Sequence, residues 1–114
     1  PILMTGAYNA SKFAVSAFTE VLHHENRASG VRFACVCPPP VATPLLAQGY
    51  ATVMPKTIES MPPIEPRDVL DAIESALAKG DFWVFPGKGT RTGYLMRRFF
   101  PNLIWKDVHK KEGF

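Results

Sequence analysis

The sequence predicts an α/β layer fold, and its pattern and composition carry that prediction. Two short apolar segments with strand character, residues 31–37 and 82–85, alternate with two segments that favour helix. The composition, 46% hydrophobic and 20% charged in 114 residues, is that of a globular protein. No apolar run approaches the roughly 20 residues that cross a bilayer. Because two strands are too few for an independent parallel sheet, we expect the chain to be part of a larger one.

The first element is a helix over residues 8–28, where neither Pro nor Gly interrupts residues that favour helix. Gly30 follows as the helix stop. Apolar side chains recur at helical spacing, so we expect one buried stripe along this helix. The stripe consists of Phe13, Ala14, Ala17, Phe18, Val21 and Leu22.

Residues 31–37 predict a strand that is apolar enough to be covered on both faces of a parallel sheet. Residues 38–40 are three prolines, which end the strand because they lack N–H groups. Cys35 and Cys37 share one face of that strand, in poor geometry for a disulfide. With no His beside them they do not form a zinc site, so we expect no metal. Reduced core cysteines indicate a cytoplasmic protein.

Residues 44–65 are predicted to be irregular, because prolines and a glycine punctuate scattered apolar positions. A second helix is predicted over residues 66–79. Pro66 suits its first turn, and Gly80 supplies the stop. The strand over residues 82–85 follows directly.

Residues 88–114 are predicted to form a basic helical tail. From residue 86 onward seven basic residues accompany two acidic ones, which gives a net charge of +5. Such a tail is either a solvated surface or a binding surface for phosphate, lipid headgroups or an acidic partner. Apolar residues repeat there at helical spacing, and Pro101 is expected to kink the helix. They are Leu95, Met96, Phe99, Phe100, Leu103 and Ile104.

Tyr8 and Lys12 open the first helix four residues apart, so their side chains lie on one face and can converge on one ligand. The unperturbed pKa of a phenol, about 10, is too high for fast proton exchange near neutrality. An ammonium group beside a phenol favours the phenolate form, and the same ammonium can donate to a sugar diol. The spacing by itself is also that of an ordinary exposed pair on a helix.

The order of segments adds specificity. The sequence Y-N-A-S-K-F-A-V, one long helix, the strand G-V-R-F-A-C-V-C and then P-P-P-V-A-T-P-L resembles the short-chain dehydrogenase/reductase family. The resemblance covers residues 8–45 and implies that Tyr8 and Lys12 are the catalytic tyrosine and lysine. It also implies a set of residues that contact the cofactor. These are Tyr8, Lys12, Pro38, Val41 and Thr43.

The resemblance implies an enzyme that uses NAD or NADP to transfer a hydride between the cofactor and a carbonyl or alcohol. The implied fold is a Rossmann-like, doubly wound parallel sheet, of which residues 1–114 would be the C-terminal portion. Pro39 departs from the family, which usually has glycine there. The Gly-rich phosphate loop and the catalytic serine of the family lie upstream of the tyrosine and have no counterpart in residues 1–7. We therefore expect the nucleotide-binding half to be missing and the chain to be inactive alone.

The resemblance also implies that residues 44–65 cover the substrate. Their apolar side chains predict a lipophilic carbonyl or alcohol substrate, unless they only pack this segment on the core. They include Leu45, Leu46, Tyr50, Val53, Met54, Ile58 and Met61. We expect a homo-oligomer at full length and no nucleic-acid partner. The alternative to an enzyme is a non-catalytic module whose basic tail docks on a membrane surface or a partner protein.

Overall fold

The computed structural model describes residues 2–114; Pro1, the first residue of the predicted domain, lies outside them. The described residues form six helices and two strands, which confirms an α/β chain. The helices are α1 Gly6–Glu25, α2 Pro44–Tyr50, α3 Lys56–Glu59, α4 Pro66–Lys79, α5 Thr90–Phe99 and α6 Pro101–Glu112. The strands are β1 Cys35–Val36 and β2 Trp83–Val84.

The strands form a parallel pair, as the sequence predicted, in a register that places Cys35 opposite Trp83 and Val36 opposite Val84. The ladder bonds run from the Cys35 N–H to the Phe82 carbonyl at 2.7 Å and from the Cys37 N–H to the Val84 carbonyl at 2.8 Å. Both strands are shorter than predicted. Residues 31–34, which are apolar except for Arg32, have no ladder partner among the described residues and therefore do not become part of the strand.

Helix α1 begins two residues earlier than predicted and ends at Glu25 instead of residue 28. The Asn26 side chain ends it by donating to the Leu22 carbonyl at 2.9 Å. The predicted burial of its apolar stripe is wrong: no residue of α1 is buried, and Phe13 and Phe18 are 61% and 64% exposed. The cause is geometric, because the two-stranded sheet is small and meets α1 mainly through Ser16 and His23, which are not part of the stripe.

The prediction that residues 44–65 are irregular is wrong for two stretches, which form α2 and α3. Two of the prolines that were expected to interrupt regular structure stand at the start of helices instead. Pro44 occupies the first turn of α2, and Pro55 is the N-cap of α3. Helix α4 has the predicted bounds, and Gly80 ends it in the left-handed conformation at φ 76°.

The tail folds back on itself as two helices, α5 and α6. They are separated at Phe100, whose φ of −128° and ψ of 56° are not helical. Pro101 then opens α6, so the predicted kink is a complete break. Helix α6 packs on α5 and on α3. Among the described residues, none of the helices has the length and hydropathy required to cross a bilayer.

The core of this fold is small. Its buried hydrophobic side chains are Cys35, Ala76, Val84 and Val108, joined by the fully buried Pro86. The radius of gyration is 15.5 Å, whereas a compact domain of this length has about 13 Å. The chain is therefore elongated, and much of its apolar surface faces solvent.

Candidate active site

The N-terminal half of α1 reaches past the carboxyl ends of both strands. Near the other end of α1, His23 packs its ring 4.8 Å from the ring of Phe82, which precedes β2. His23 also lines a cleft of about 290 Å³ together with Phe33 and Asp81, which precede the two strands. Ser16, in the middle of α1, accepts a hydrogen bond from Cys35 Sγ at 3.7 Å. Helix α1 thus runs antiparallel to the strands, and its first turns lie on the side of their carboxyl ends.

Tyr8 and Lys12 stand on these first turns. Tyr8 lies eight residues before Ser16, roughly 12 Å farther along the helix axis. Lys12 Nζ is 5.2 Å from the centroid of the Tyr8 ring. Both side chains are exposed, Tyr8 by more than half. A phenol and an ammonium group therefore share one open surface, with the ammonium placed over the ring.

Asn9 fastens the chain that leads into this helix, a role that no sequence signal indicated. Its Oδ1 accepts from the Ile2 N–H at 3.2 Å, and its Nδ2 donates to the Ile2 carbonyl at 2.7 Å. Ser11, the other polar residue of this turn, donates to the Tyr8 carbonyl at 2.8 Å. Two local polar contacts thus stabilise the turn that carries Tyr8.

Val41 is held on the loop that leaves β1. It forms an isolated parallel bridge with Ile64. The bonds of this bridge run from the Ala42 N–H to the Ile64 carbonyl and from the Ile64 N–H to the Pro40 carbonyl, both at 2.9 Å. Since neighbouring residues supply these groups, the N–H and carbonyl of Val41 point to the opposite side of the loop. Val41 therefore presents two backbone groups from a fixed position.

Thr43 ends the same loop as the N-cap of α2. Its Oγ1 accepts from the Leu46 N–H at 3.4 Å. A hydroxyl that accepts in this way keeps its own proton for donation to another group. Pro38 lies exposed at the start of the loop. The loop thus combines an exposed proline, two backbone groups and a hydroxyl donor.

Gly87 follows β2 and lies against the loop that leaves β1. Its φ of 81° is in the left-handed region, and a Cβ there would meet Ile64 Cγ2 at 3.2 Å and Pro39 Cγ at 3.4 Å. The Pro39 ring therefore packs in the space that Gly87 leaves. The sequence pattern marked this stretch only as a turn, because Ile64 and Pro39 are distant along the chain.

The predicted site residues form two groups at one edge of the sheet. Tyr8 and Lys12 form the first, and Pro38, Val41 and Thr43 form the second. Within residues 2–114 no hydrogen bond joins the two groups. A larger cleft, of about 540 Å³, lies elsewhere, between α4, β2 and α5, and includes none of these residues in its lining.

The segment predicted to cover the substrate is joined to the tail by one carboxylate. Glu112, at the end of α6, accepts from the Thr57 N–H at 2.7 Å, the Thr57 hydroxyl at 2.6 Å and the Lys56 N–H at 3.1 Å. The bonds from Thr57 lower the pKa of Glu112 below its ordinary value of 4.5. The two partners are 55 residues apart along the chain, so no local sequence pattern indicates this contact.

The surroundings of Cys37 disfavour the thiolate form of its side chain. Burial, followed by the neighbouring Cys35, raises the pKa of the Cys37 thiol to about 11, so the thiolate is scarce near neutrality. Both cysteines are free thiols. The part of the chain that the structure describes also brings together no group of three His, Cys, Asp or Glu side chains that could hold a metal ion.

Comparison with known proteins finds similarity to one family model and to one curated protein. The family model of the short chain dehydrogenases matches residues 1–53, which include Tyr8, Lys12 and the loop of Val41 and Thr43. The "NADPH-dependent aldehyde reductase-like protein, chloroplastic" of Arabidopsis thaliana is 31% identical over 83 residues. That alignment covers 69% of this chain and 31% of the Arabidopsis protein. No solved structure matches the chain.

Open α/β sheets bind their ligands beyond the carboxyl ends of the strands, and the Tyr8–Lys12 pair stands on that side of the sheet. The matches show that the chain is similar to proteins of the short-chain dehydrogenase/reductase family, with the family model covering its first 53 residues.

Proposed function

We propose that this chain supplies the proton-transfer and nicotinamide-contacting part of an NAD(P)-dependent oxidoreductase that interconverts a carbonyl compound and an alcohol. The observation that carries this proposal is the Tyr8–Lys12 pair, with Lys12 Nζ 5.2 Å from the phenol ring. The pair stands beyond the carboxyl ends of parallel strands, where open α/β sheets bind their ligands.

Tyr8 is the proposed acid and base. In the direction of reduction its hydroxyl donates a proton to the carbonyl oxygen of the substrate, and in the direction of oxidation the phenolate takes the proton back. Lys12 stabilises the phenolate and donates to the nicotinamide ribose. The bound nicotinamide supplies or accepts the hydride. Because both side chains are exposed, they reach a ligand without rearrangement of α1.

The loop from Pro38 to Thr43 is the proposed contact for the nicotinamide carboxamide. A carboxamide carries donors and an acceptor, and the groups on offer match it. The Val41 N–H and carbonyl face away from the bridge with Ile64, and the Thr43 hydroxyl keeps a proton to donate. The residues that are present therefore fit the nicotinamide end of the cofactor. The name of the Arabidopsis relative supports NADPH as the cofactor of this chain. Both NADPH and NADH should be measured in the same assay.

The proposed substrate is lipophilic. In the segment of residues 44–65, the side chains of Leu45, Tyr50, Val53 and Met61 are exposed and apolar. Others in the segment, Leu46, Met54 and Ile58, are half-buried and pack it on the rest of the chain. The exposed set supports an apolar cover over the site, which favours an apolar ketone, aldehyde or alcohol over a charged metabolite.

The proposed context of the chain is a longer, oligomeric protein with a doubly wound sheet. The alignment covers 31% of the Arabidopsis relative, and the exposed apolar face of α1 suits further packing. In a doubly wound fold the pyrophosphate of a dinucleotide binds at the first strand-to-helix turn. We therefore expect the 114 residues alone to be inactive. The free thiols of Cys35 and Cys37 support a reducing compartment such as the cytoplasm.

Two measurements test these proposals. The protein encoded by the complete reading frame is assayed for oxidation of NADH and NADPH with lipophilic and with charged carbonyl compounds. The lipophilic compounds should give the higher kcat/KM, and turnover of neither class would contradict the proposed reaction. Fluorescence titration of the 114-residue chain with both cofactors should detect no tight binding, whereas tight binding would contradict the proposal that an upstream segment is required.

A further inference from the structure

The corner between α5 and α6 exposes three large apolar side chains within five residues. Phe99, Phe100 and Leu103 are 65%, 59% and 58% exposed. The corner exists because Pro101 lacks an N–H and begins a new helix, so Phe100 leaves the helical conformation. We name these three residues the apolar tip. Single exposed apolar residues are ordinary, but a cluster at a corner indicates an interaction surface.

The two helices behind the apolar tip are positively charged. Helix α5 contains no acidic residue, and Asp107 of α6 is paired with Lys111 at 2.8 Å. Arg97 turns inward, with its guanidinium 5.5 Å from the centroid of the Trp105 ring, and so joins α5 to α6. In residues 2–114, no carboxylate forms an ion pair with Arg98 or Lys106. The tail therefore keeps a net positive charge directed to solvent.

The spacing places charges behind the apolar tip on both helices. Leu103 and Lys106 are three residues apart on one face of α6. The backbone position of Lys106 is therefore roughly 5 Å farther from the apolar tip along the helix axis. Arg98 adjoins Phe99 at the end of α5, and Arg91 lies two turns earlier on the same helix. This layering matches a bilayer surface, where apolar side chains enter by about 5–10 Å and cations stay among the headgroups.

From this arrangement we propose that the α5–α6 corner docks on the surface of an anionic phospholipid bilayer. Phe99, Phe100 and Leu103 enter the boundary between headgroups and acyl chains, and Arg98 and Lys106 contact lipid phosphates. A fluid surface suits the apolar tip, because these strongly exposed side chains form no groove that could accept a peptide. The proposal is independent of the proposed oxidoreductase function, since it uses none of the same residues.

The test is flotation of the 114-residue chain with vesicles in a density gradient, because aggregated protein sinks and vesicle-bound protein rises. Phosphatidylcholine vesicles are compared with vesicles in which about a third of the lipid is phosphatidylserine. The chain should float with the anionic vesicles and be released when the salt concentration rises to about 0.5 M. Equal flotation with both vesicles, or none with either, would overturn the proposal.

Paired variants locate the surface. Phe99→Ser combined with Phe100→Ser should lower the partition coefficient more than tenfold, and Arg98→Gln combined with Lys106→Gln roughly thirtyfold. Phe13→Ser combined with Phe18→Ser is the matched control, since these side chains are 61% and 64% exposed on α1. It should leave flotation unchanged. Circular dichroism confirms that each variant keeps its helices.

Three results would contradict this location of the surface. If the Phe99 and Phe100 variant or the Arg98 and Lys106 variant floats as well as the parent chain, the α5–α6 corner is not the membrane-binding surface. Loss of flotation in the Phe13 and Phe18 control assigns membrane contact to α1 instead. Salt-sensitive binding to an acidic protein or to single-stranded DNA, without flotation, shows that the tail recognises a different class of macromolecule.

Discussion

The carboxyl edge of the sheet and the helical tail are attached to the rest of the chain in different ways. At the edge, the loop after β1 is joined to Ile64 by two backbone hydrogen bonds of 2.9 Å, and the Pro39 ring packs against Gly87. The tail reaches α3 through the side chain of Glu112, which accepts all three hydrogen bonds. The hydrogen bonds at the edge are therefore made by the backbone, and those that join the tail to α3 are made by an ionised side chain.

This difference distinguishes the loop after β1, whose contacts do not depend on pH, from the segment of residues 44–65, whose contact with the tail does. Backbone bonds and a left-handed glycine do not titrate, so the loop of Val41 and Thr43 keeps its position across a wide range of pH. A carboxylate loses its role as an acceptor of three bonds when it is protonated. The segment predicted to cover the substrate is thus held by a contact that solution conditions can weaken.

The largest expected effect on stability is at the edge. Gly87→Ala should lower the free energy of unfolding by about 2 kcal/mol, because alanine is strained in the left-handed region and its Cβ would press on Ile64. Gly93→Ala is the control, since Gly93 is inside α5 with open space around it. It should raise the free energy of unfolding by about 1 kcal/mol. Urea denaturation measures both, and equal effects would show that the edge is not fixed by this glycine.

A smaller effect is expected in the tail. Val108 is the buried residue of α6, and Val108→Ala should cost about 1.5 kcal/mol through the loss of two buried methyl groups. Val53→Ala removes the same groups from an exposed position and should change the free energy of unfolding by less than about 0.5 kcal/mol. Indistinguishable urea midpoints for the two variants would mean that α6 is not packed against the chain.

The third effect depends on pH. Because hydrogen bonds lower the pKa of Glu112, its contribution to stability is present above the ordinary pKa of 4.5 and is lost as the pH falls through the lowered value. Glu112→Gln keeps one acceptor oxygen but does not titrate. The difference in free energy of unfolding between the parent chain and this variant should therefore shrink on acidification. A difference that is constant between pH 7 and pH 3 would contradict the assignment.

Local signals predicted the parts of the fold that local chemistry determines. Helix α4 has the predicted bounds because a first-turn proline and a left-handed glycine act within their own turns. The prolines of residues 44–65 were misread because Pro44 and Pro55 begin helices here instead of breaking them. The exposed stripe of α1 shows that amphipathic spacing indicates a face that can be buried, not whether a partner covers it.

The same distinction applies to the candidate site. Tyr8 and Lys12 were found because one helical turn joins them, so the spacing alone brings them together. The sequence pattern did not indicate the residues that hold the site in position, which are Ile64, Gly87 and Asn9. The contacts of Ile64 and Gly87 join segments far apart along the chain, and Asn9 acts through its side chain on a lead-in that has no periodic pattern.

The most direct test of the account is Tyr8→Phe in the protein encoded by the complete reading frame. The substitution removes the hydroxyl and keeps the exposed ring beside Lys12. Turnover in the carbonyl assay should fall at least 100-fold, while fluorescence titration still detects NADPH binding with an affinity close to that of the parent protein. Turnover within a few-fold of the parent protein would contradict the assignment of Tyr8 as the acid and base.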